Sequence, residues 1–571
     1  MAIDLIVRGG SVIDGTGSPA RTADVAISGG VIVEVGRVDG RADREIDAGG
    51  ALVTPGFVDI HTHYDGQATW DERLQPSSGQ GVTTVVMGNC GVGFAPVRAT
   101  DHGRLIELME GVEDLPGTVL HEGLSWEWES IPDYLDALER RSHDIDFAAQ
   151  ACHGPLRLYV MGQRGADREP ATSDEIAAMG RLAAEGIQAG ALGFTTSRTL
   201  NHRTSRGEPT PTLTAAREEL VGIAGAIGAT GLGVLQVISD FPDFDHEAAT
   251  LLEMMRASGR PLSVSLAQGG PGDGYRRTLD LLASANAEGL EMRGQVAARA
   301  IGLVIGLEGT VNPLRASATY RTVEGLRLDE RVRRLSAPEM RRQVLQDLAA
   351  RPGGLRQPLD RVFELHDRPD YEPDASMSIA ARAAAKGVAG EELFYDLLLE
   401  DGGTALLYLP VLNYFAGSLE AAAEMLAHPN TVPGLGDGGA HVGTICDASF
   451  PTTMLTHWGR DRIRGPRFEL PWLVARQCRA TAEAVGLLDR GLVAPGYKAD
   501  LNVIDFERLG LERPFIRHDL PAGGKRLMQP AHGYSHTIVS GVETYTDGAP
   551  TGALPGRLVR GHQPDPTKEG S

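Results

Sequence analysis

From residue 1 to about 55, apolar residues come in short runs or alternate with polar ones, and Gly-Gly and Asp-Gly pairs separate the runs. A period of two marks half-buried strands and those dipeptides mark tight turns. The pattern therefore predicts antiparallel hairpins built from 4–8, 11–14, 24–28, 31–35 and 44–47. It returns at 499–505 and 536–544, so segments 1–55 and 486–560 are expected to complete one small β-sandwich. Between them, strand-length apolar runs alternate with stretches such as Thr172 to Ala189 and Phe244 to Ser258, whose apolar residues follow helical spacing. That rhythm argues for βα units and a parallel sheet, an α/β class. Eight runs, at 56–62, 82–87, 146–151, 191–195, 232–237, 261–265, 294–298 and 431–435, would close a TIM-like (β/α)8 barrel over 56–485. Its active site would lie at the C-terminal ends of the strands.

One stretch breaks the rhythm. Residues 300–380 are rich in arginine and include Arg315, Tyr320, Arg321, Arg331 and Arg341. They read as a lid inserted over the barrel mouth, or as a solvated surface excursion. After Pro555 the chain turns polar and is expected to fray, with 561–571 as its tail.

Composition narrows the function classes. With 571 residues and 42% hydrophobic content the chain can fill large cores. Its 54 basic and 76 acidic residues give a net charge of -22, which speaks against nucleic acid or an anionic membrane as partner. No apolar run approaches membrane-spanning length. The start, Met1-Ala2-Ile3-Asp4, lacks the basic leader and apolar core of a signal peptide. Cys90, Cys152, Cys446 and Cys478 are too widely spaced for a disulfide scaffold, so a reducing cytoplasm is expected.

The chemistry begins at Thr54-Pro55-Gly56-Phe57-Val58-Asp59-Ile60-His61-Thr62-His63, a short buried strand running into two histidines. Strand alternation points His61 and His63 to one side, roughly 6 to 7 Å apart, which suits two imidazoles on one metal ion. An isolated pair of this kind fits satisfied structural histidines equally well. Asp437, in Leu435-Gly436-Asp437-Gly438-Gly439, follows the last strand, which a closed barrel places beside the first. It is the candidate proton shuttle for a metal-activated water, with the satisfaction of turn amides as the alternative.

The string Pro55-Gly56-Phe57-Val58-Asp59-x-His61-x-His63 resembles the first barrel strand of the amidohydrolase superfamily. Met87-Gly88-Asn89-Cys90-Gly91 and Gly436-Asp437-Gly438-Gly439 narrow the resemblance to the N-acyl-D-amino-acid deacylase (D-aminoacylase) family, over about residues 1 to 560. The resemblance implies a barrel with a β-sandwich and a lid, and one or two zinc ions. It implies Cys90 as a thiolate ligand beside His61, His63 and Asp437, and hydrolysis of a linear amide in a small N-acyl amino acid of the D series.

The chain departs from that family where most members carry metal-binding histidines, at the ends of strands five and six. Leu235-Gln236-Val237-Ile238-Ser239-Asp240 and Ser263-Val264-Ser265-Leu266-Ala267-Gln268 contain no imidazole. Either one ion sits on His61, His63 and Asp437, with or without Cys90, or His153, His202 or His441 substitutes. A non-catalytic barrel without metal is the remaining alternative. The only lysines, Lys386, Lys498, Lys525 and Lys568, fall outside the expected strands. A carboxylated-lysine bridge is thereby excluded there, which argues against a hydantoin or dihydroorotate-like cyclic amide. Arg157 and Arg198, followed by Arg203 and Arg315, are candidates for holding a substrate carboxylate. Trp126-Glu127-Trp128 offers an acyl-group wall or simple core packing. A homo-oligomer is left open.

Overall fold

Strands buried on both faces read as nearly continuous apolar runs, and Val82–Met87 is buried along its whole length. In the computed structural model, which describes residues 2–351 and 355–568, each of the eight expected runs contains a strand. Phe57–Asp59, Val82–Met87 and Asp146–Ala149 form one parallel sheet. Ala151–Cys152, Gly193–Arg198, Val234–Ser239, Leu262–Leu266, Met292–Val296 and Thr431–Pro433 form a second, also in chain order. Only Gln150 separates the two sheets along the third run. At the opposite margin Thr62 bridges Gly438 in parallel, His63 N donates to Gly438 O at 2.8 Å and Asp437 N donates to His61 O at 3.0 Å.

Helices connect the strands where the pattern places them. Ser173–Gln188 starts at a capping box between Thr172 and Glu175, and Phe244–Ser258 at an Asp243 cap. Such caps each satisfy amides that would otherwise lack partners, worth about 1 kcal/mol. Among the described residues no helix is long and apolar enough to cross a membrane.

The two chain ends share a nine-stranded sheet. Its seam is the antiparallel pairing of Leu501–Ile504 with Leu52–Pro55, Leu501 facing Pro55. Leu5, Val7, Val25, Ile27, Val53, Leu501, Val503 and Ile538 pack on one face of it. Leu5–Val12 is one strand where two were expected. Gly9, at φ +61°, forms a bulge that shifts the register against Arg21–Ser28 instead of ending the strand.

Two expectations for the C-terminal segment are corrected. Phe515–Leu520 and Gly524–Met528 leave the sheet as a separate hairpin, and Leu527 N donates to Val442 O at 2.6 Å. The segment expected to fray is docked through Asp565. Phe147 N donates to Arg557 O at 3.1 Å, Val559 N to Phe147 O at 2.8 Å and Gln563 N to Gly486 O at 3.0 Å. Leu558 and Val559 are buried, Arg560 pairs with Asp136 and Glu139, and Asp565 accepts from Tyr497. An unpaired strand edge supplies the backbone partners that a polar tail lacks on its own.

The excursion after strand seven is longer than 300–380. Ile301–Ile305, Phe363–Glu364 and Leu407–Leu412 form an antiparallel sheet, and Ile305, Leu307, Leu335, Val344, Phe394, Leu398 and Leu407 give it a core of its own. Residues 352–354 of the expected lid lie outside the described residues. The Glu372 carboxylate fastens the excursion to the chain after strand eight, accepting from Arg462 at 2.9 and 3.0 Å.

Candidate metal centre

Each candidate ligand leaves a strand end. His61 and His63 follow Phe57–Asp59, both 1% exposed, with ring centroids 5.5 Å apart. Cys90 follows Val82–Met87 in a tight turn where Gly88, Cys90 and Gly91 have φ of +82°, +56° and +69°. Asn89 pins that turn by donating to Thr62 O and Val86 O, and Cys90 N donates to Gln236 Oε1 at 3.2 Å. Cys90 Sγ lies 3.4 Å from His61 Nε2. Asp437 Oδ1 lies 3.5 Å from His61 Nε2 and 3.7 Å from His63 Nε2, buried and without a hydrogen-bond partner. Potential ligand atoms of His61, His63 and Cys90 fall within 4.8 Å of one another, the one such group among the described residues. Leu435, Asp437 and His441 are held at φ of +60°, +48° and +49°, strain that persists only where surrounding structure imposes it.

The outer ring nitrogens face polar side chains, His61 Nδ1 in a hydrogen bond and His63 Nδ1 in an ion-pair contact. His61 Nδ1 is 2.6 Å from Gln295 Oε1, and His63 Nδ1 is 3.3 Å from Glu113 Oε1. Both rings thereby turn Nε2 inward, the orientation that outer partners impose on metal-binding histidines. Burial pushes His61 down to about 4 and the Cys90 thiol up to about 11. Burial also opposes charge on His63 and Asp437, but attraction outweighs it. Glu113, Asp437 and Cys90 raise His63 well above the ordinary histidine value, while His63 and His61 hold Asp437 well below the carboxylate range. Two imidazole nitrogens and a thiol sulfur converging in a buried space beside an orphaned carboxylate oxygen fit a zinc-type ion with three protein ligands and one open position.

The other candidates fall outside the converging group. His153 is no spare ligand, because Nδ1 meets Thr196 Oγ1 at 2.8 Å and Nε2 meets Glu219 Oε1 at 2.9 Å. Arg157 is fully buried and donates to the same Glu219 and to the carbonyls of Pro211 and Glu169. Arg198 is bound to Glu247. Neither arginine is free for a substrate carboxylate, which corrects both expectations. Arg203 donates to Gly207 O, and Arg315 pairs with Glu324. His202 stays outside the ligand group; its Nδ1 is 2.9 Å from Ser197 Oγ, and burial pushes its pKa down to about 3. His441 Nε2 is 3.6 Å from Glu113 Oε2, not among the converging atoms. Trp128 is core, donating to Phe94 O, and Trp126 stacks on His102.

Within strands five to seven, amides and hydroxyls face one another. Gln236 Nε2 donates to Ser265 Oγ at 3.3 Å, and Gln295 Nε2 to Ser263 Oγ at 2.9 Å. Sequence reasoning missed Gln295 and Glu113. Glu113 did carry a signal, since it falls on the stripe of Leu105, Met109 and Val112 that the helix His102–Glu113 buries. A carboxylate on an apolar face needs a partner. Asp437 lines a cavity of about 20 Å³ with Asp447, Arg526 and Leu527, whereas a cavity of about 530 Å³ lies at the opposite, N-terminal ends of the strands.

The chain is similar to known proteins over much of its length. A D-aminoacylase of Alcaligenes xylosoxydans xylosoxydans is 33% identical over 292 residues, 50% of this chain and 55% of that protein. The N-acyl-D-glutamate deacylase of the same organism is 35% identical over 233 residues, 40% of this chain and 42% of that protein. The chain thus matches about half the length of these curated relatives. A solved D-aminoacylase, described as having a binuclear metal centre with one-metal activation and second-metal attenuation, matches at 26% identity and a TM-score of 0.65, covering 98% of this chain and 100% of that one. The amidohydrolase family model matches residues 44–545, which reach into both ends of the terminal sheet and cover every strand that carries a converging side chain; the chain belongs to the amidohydrolase family.

Proposed function

We propose that this protein hydrolyses the linear amide of an N-acyl-D-amino acid, with water adding to the acyl carbon and the amino acid leaving as a free amine. The observation that carries the reading is the convergence of His61 Nε2, His63 Nε2 and Cys90 Sγ beside the unpartnered Asp437 Oδ1. His61, His63 and Cys90 would hold a zinc ion with Asp437 beside its open position, where such an ion would lower the pKa of water to about 7 and polarise a carbonyl. Asp437, kept ionised by the two histidines, accepts a proton from the attacking water and returns one to the leaving nitrogen. Gln295 and Glu113 keep the rings aimed, and the buried surroundings exclude competing water.

The same reading assigns the architecture. The eight parallel strands form a closed barrel, supported by the Thr62–Gly438 bridge on one side and by the short Gln150 break on the other. The barrel occupies 56–485, the insertion extends beyond 380 to the strand Leu407–Leu412, and 1–55 with 486–560 make the β-domain. The D preference and the acyl amino acid class are carried over from the deacylases that this chain resembles.

The test is hydrolysis of matched N-acetyl-D- and N-acetyl-L-amino acids and of hydantoins by protein whose zinc content is measured. Turnover of the D series, lost on chelation and restored by zinc, is expected. Turnover of hydantoins alone, or protein that retains no zinc after supplementation, would overturn the proposal.

A further inference from the structure

Glu113 is a buried carboxylate, 1% exposed, that no arginine or lysine pairs among the described residues. Leaving such a charge uncompensated costs several kcal/mol. It is also the last residue of the helix His102–Glu113, where the helix dipole disfavours an anion. A group placed against both burial and the dipole needs a reason in its neighbours. Those neighbours are imidazoles. Oε1 lies 3.3 Å from His63 Nδ1, an ion-pair contact, and neither buried atom makes a hydrogen bond to anything else or in good geometry to the other. Oε2 lies 3.6 Å from His441 Nε2, and the Glu113 carbonyl accepts the His441 amide. The next residue, Asp114, stands at φ +50° and accepts from Gly443 N at 3.2 Å. One helix terminus therefore fastens both the histidine after strand one and the loop after strand eight, with two strained non-glycine residues, Asp114 and His441, at the junction.

We infer that Glu113 is a positioning residue of the metal centre: its carboxylate, as acceptor facing His63 Nδ1–H, keeps the proton on Nδ1 so that His63 presents Nε2 to the ion, and its other oxygen faces His441. This rests on the reading of the centre given under Proposed function. The carboxylate does not need to touch substrate. Its effect passes through the tautomer and aim of His63, as carboxylate partners of metal-binding histidines act elsewhere. A neutral amide at the same position keeps the volume but supplies an acceptor without the charge, and cannot attract the Nδ1 proton as strongly.

The experiment compares the wild-type protein with Glu113→Gln and Glu113→Asp. Zinc affinity is measured by competition with a chelator, and the visible spectrum is recorded after cobalt substitution. Glu113→Gln is expected to bind zinc about 10- to 100-fold more weakly and to shift the cobalt bands, with partial recovery in Glu113→Asp. Circular dichroism shows whether each variant is folded. If Glu113→Gln does not fold, Glu113→Asp carries the test, with weaker zinc binding and shifted cobalt bands expected. Zinc affinity within about twofold of wild type and unchanged cobalt bands in the folded variant would overturn the inference. Failure of the wider reading looks different, because the wild-type protein itself would then bind no zinc.

Discussion

Two buried clusters of histidine and carboxylate stand at strand ends in this molecule, and they behave in opposite ways. In the first, Glu219 accepts from His153 and from Arg157, the other His153 nitrogen meets Thr196, and the remaining Arg157 donors reach carbonyls. Every polar atom there is answered by protein. In the second, His61, His63, Cys90 and Asp437 aim their free atoms at one another, and Asp437 Oδ1 is answered by nothing. The comparison teaches that residue type and burial do not separate a structural cluster from a reactive one. Completeness of hydrogen bonding does: the satisfied cluster holds the fold, and the incomplete one is shaped for something that binds.

The widest split between the clusters is expected from Asp437→Asn. It should lower kcat by about 10²- to 10⁴-fold while zinc content, read by metal analysis, stays at the wild-type level. Undiminished turnover would remove Asp437 from the proton-transfer role. Glu219→Gln should do the reverse. It strands Arg157 in the core and should destabilise the protein by about 3–5 kcal/mol in denaturant unfolding near neutral pH, leaving the zinc content of folded protein unchanged. That penalty has a pH signature. Burial opposes ionisation of Glu219, but His153 and Arg157 hold its pKa at about 2 against an ordinary 4.5. A folded value below the unfolded one gives stability that is present above pH 4.5 and lost as pH falls through about 2. The gap between wild type and Glu219→Gln should therefore narrow across that window. The smallest effect is expected from Gln295→Leu, which removes the acceptor at His61 Nδ1. Zinc affinity by chelator competition should fall about tenfold, since a neutral amide does less than a carboxylate in that position.

Much of this was legible in the chain. The His61-x-His63 spacing needs only strand alternation to put both rings on one side, and Asp437 needs only its place after the last parallel strand. The strand runs were legible because two-sided burial writes itself as unbroken apolar sequence, as in Val82–Met87. Arg157 misled because a fully buried arginine looks like any other in sequence. Its partner Glu219 lies on a different element, 62 residues away. Gln295 and Glu113 stayed hidden for the same reason: a hydrogen bond across 234 residues and an ion-pair contact from a helix end to a strand end leave no local spacing to read. The Gly9-Gly10 pair looked like a turn, since glycine permits a bulge as readily as a hairpin.

The seam between Leu52–Pro55 and Leu501–Ile504 has a consequence for how the molecule is made. On a ribosome working at about 5–20 residues per second, the first strands emerge long before their partner exists, and one margin of Leu52–Pro55 waits for nearly the whole polypeptide. The last pieces synthesised complete the first pieces delivered. A chain halted before residue 501 leaves that ladder open, exposing an adhesive β-edge to other nascent copies.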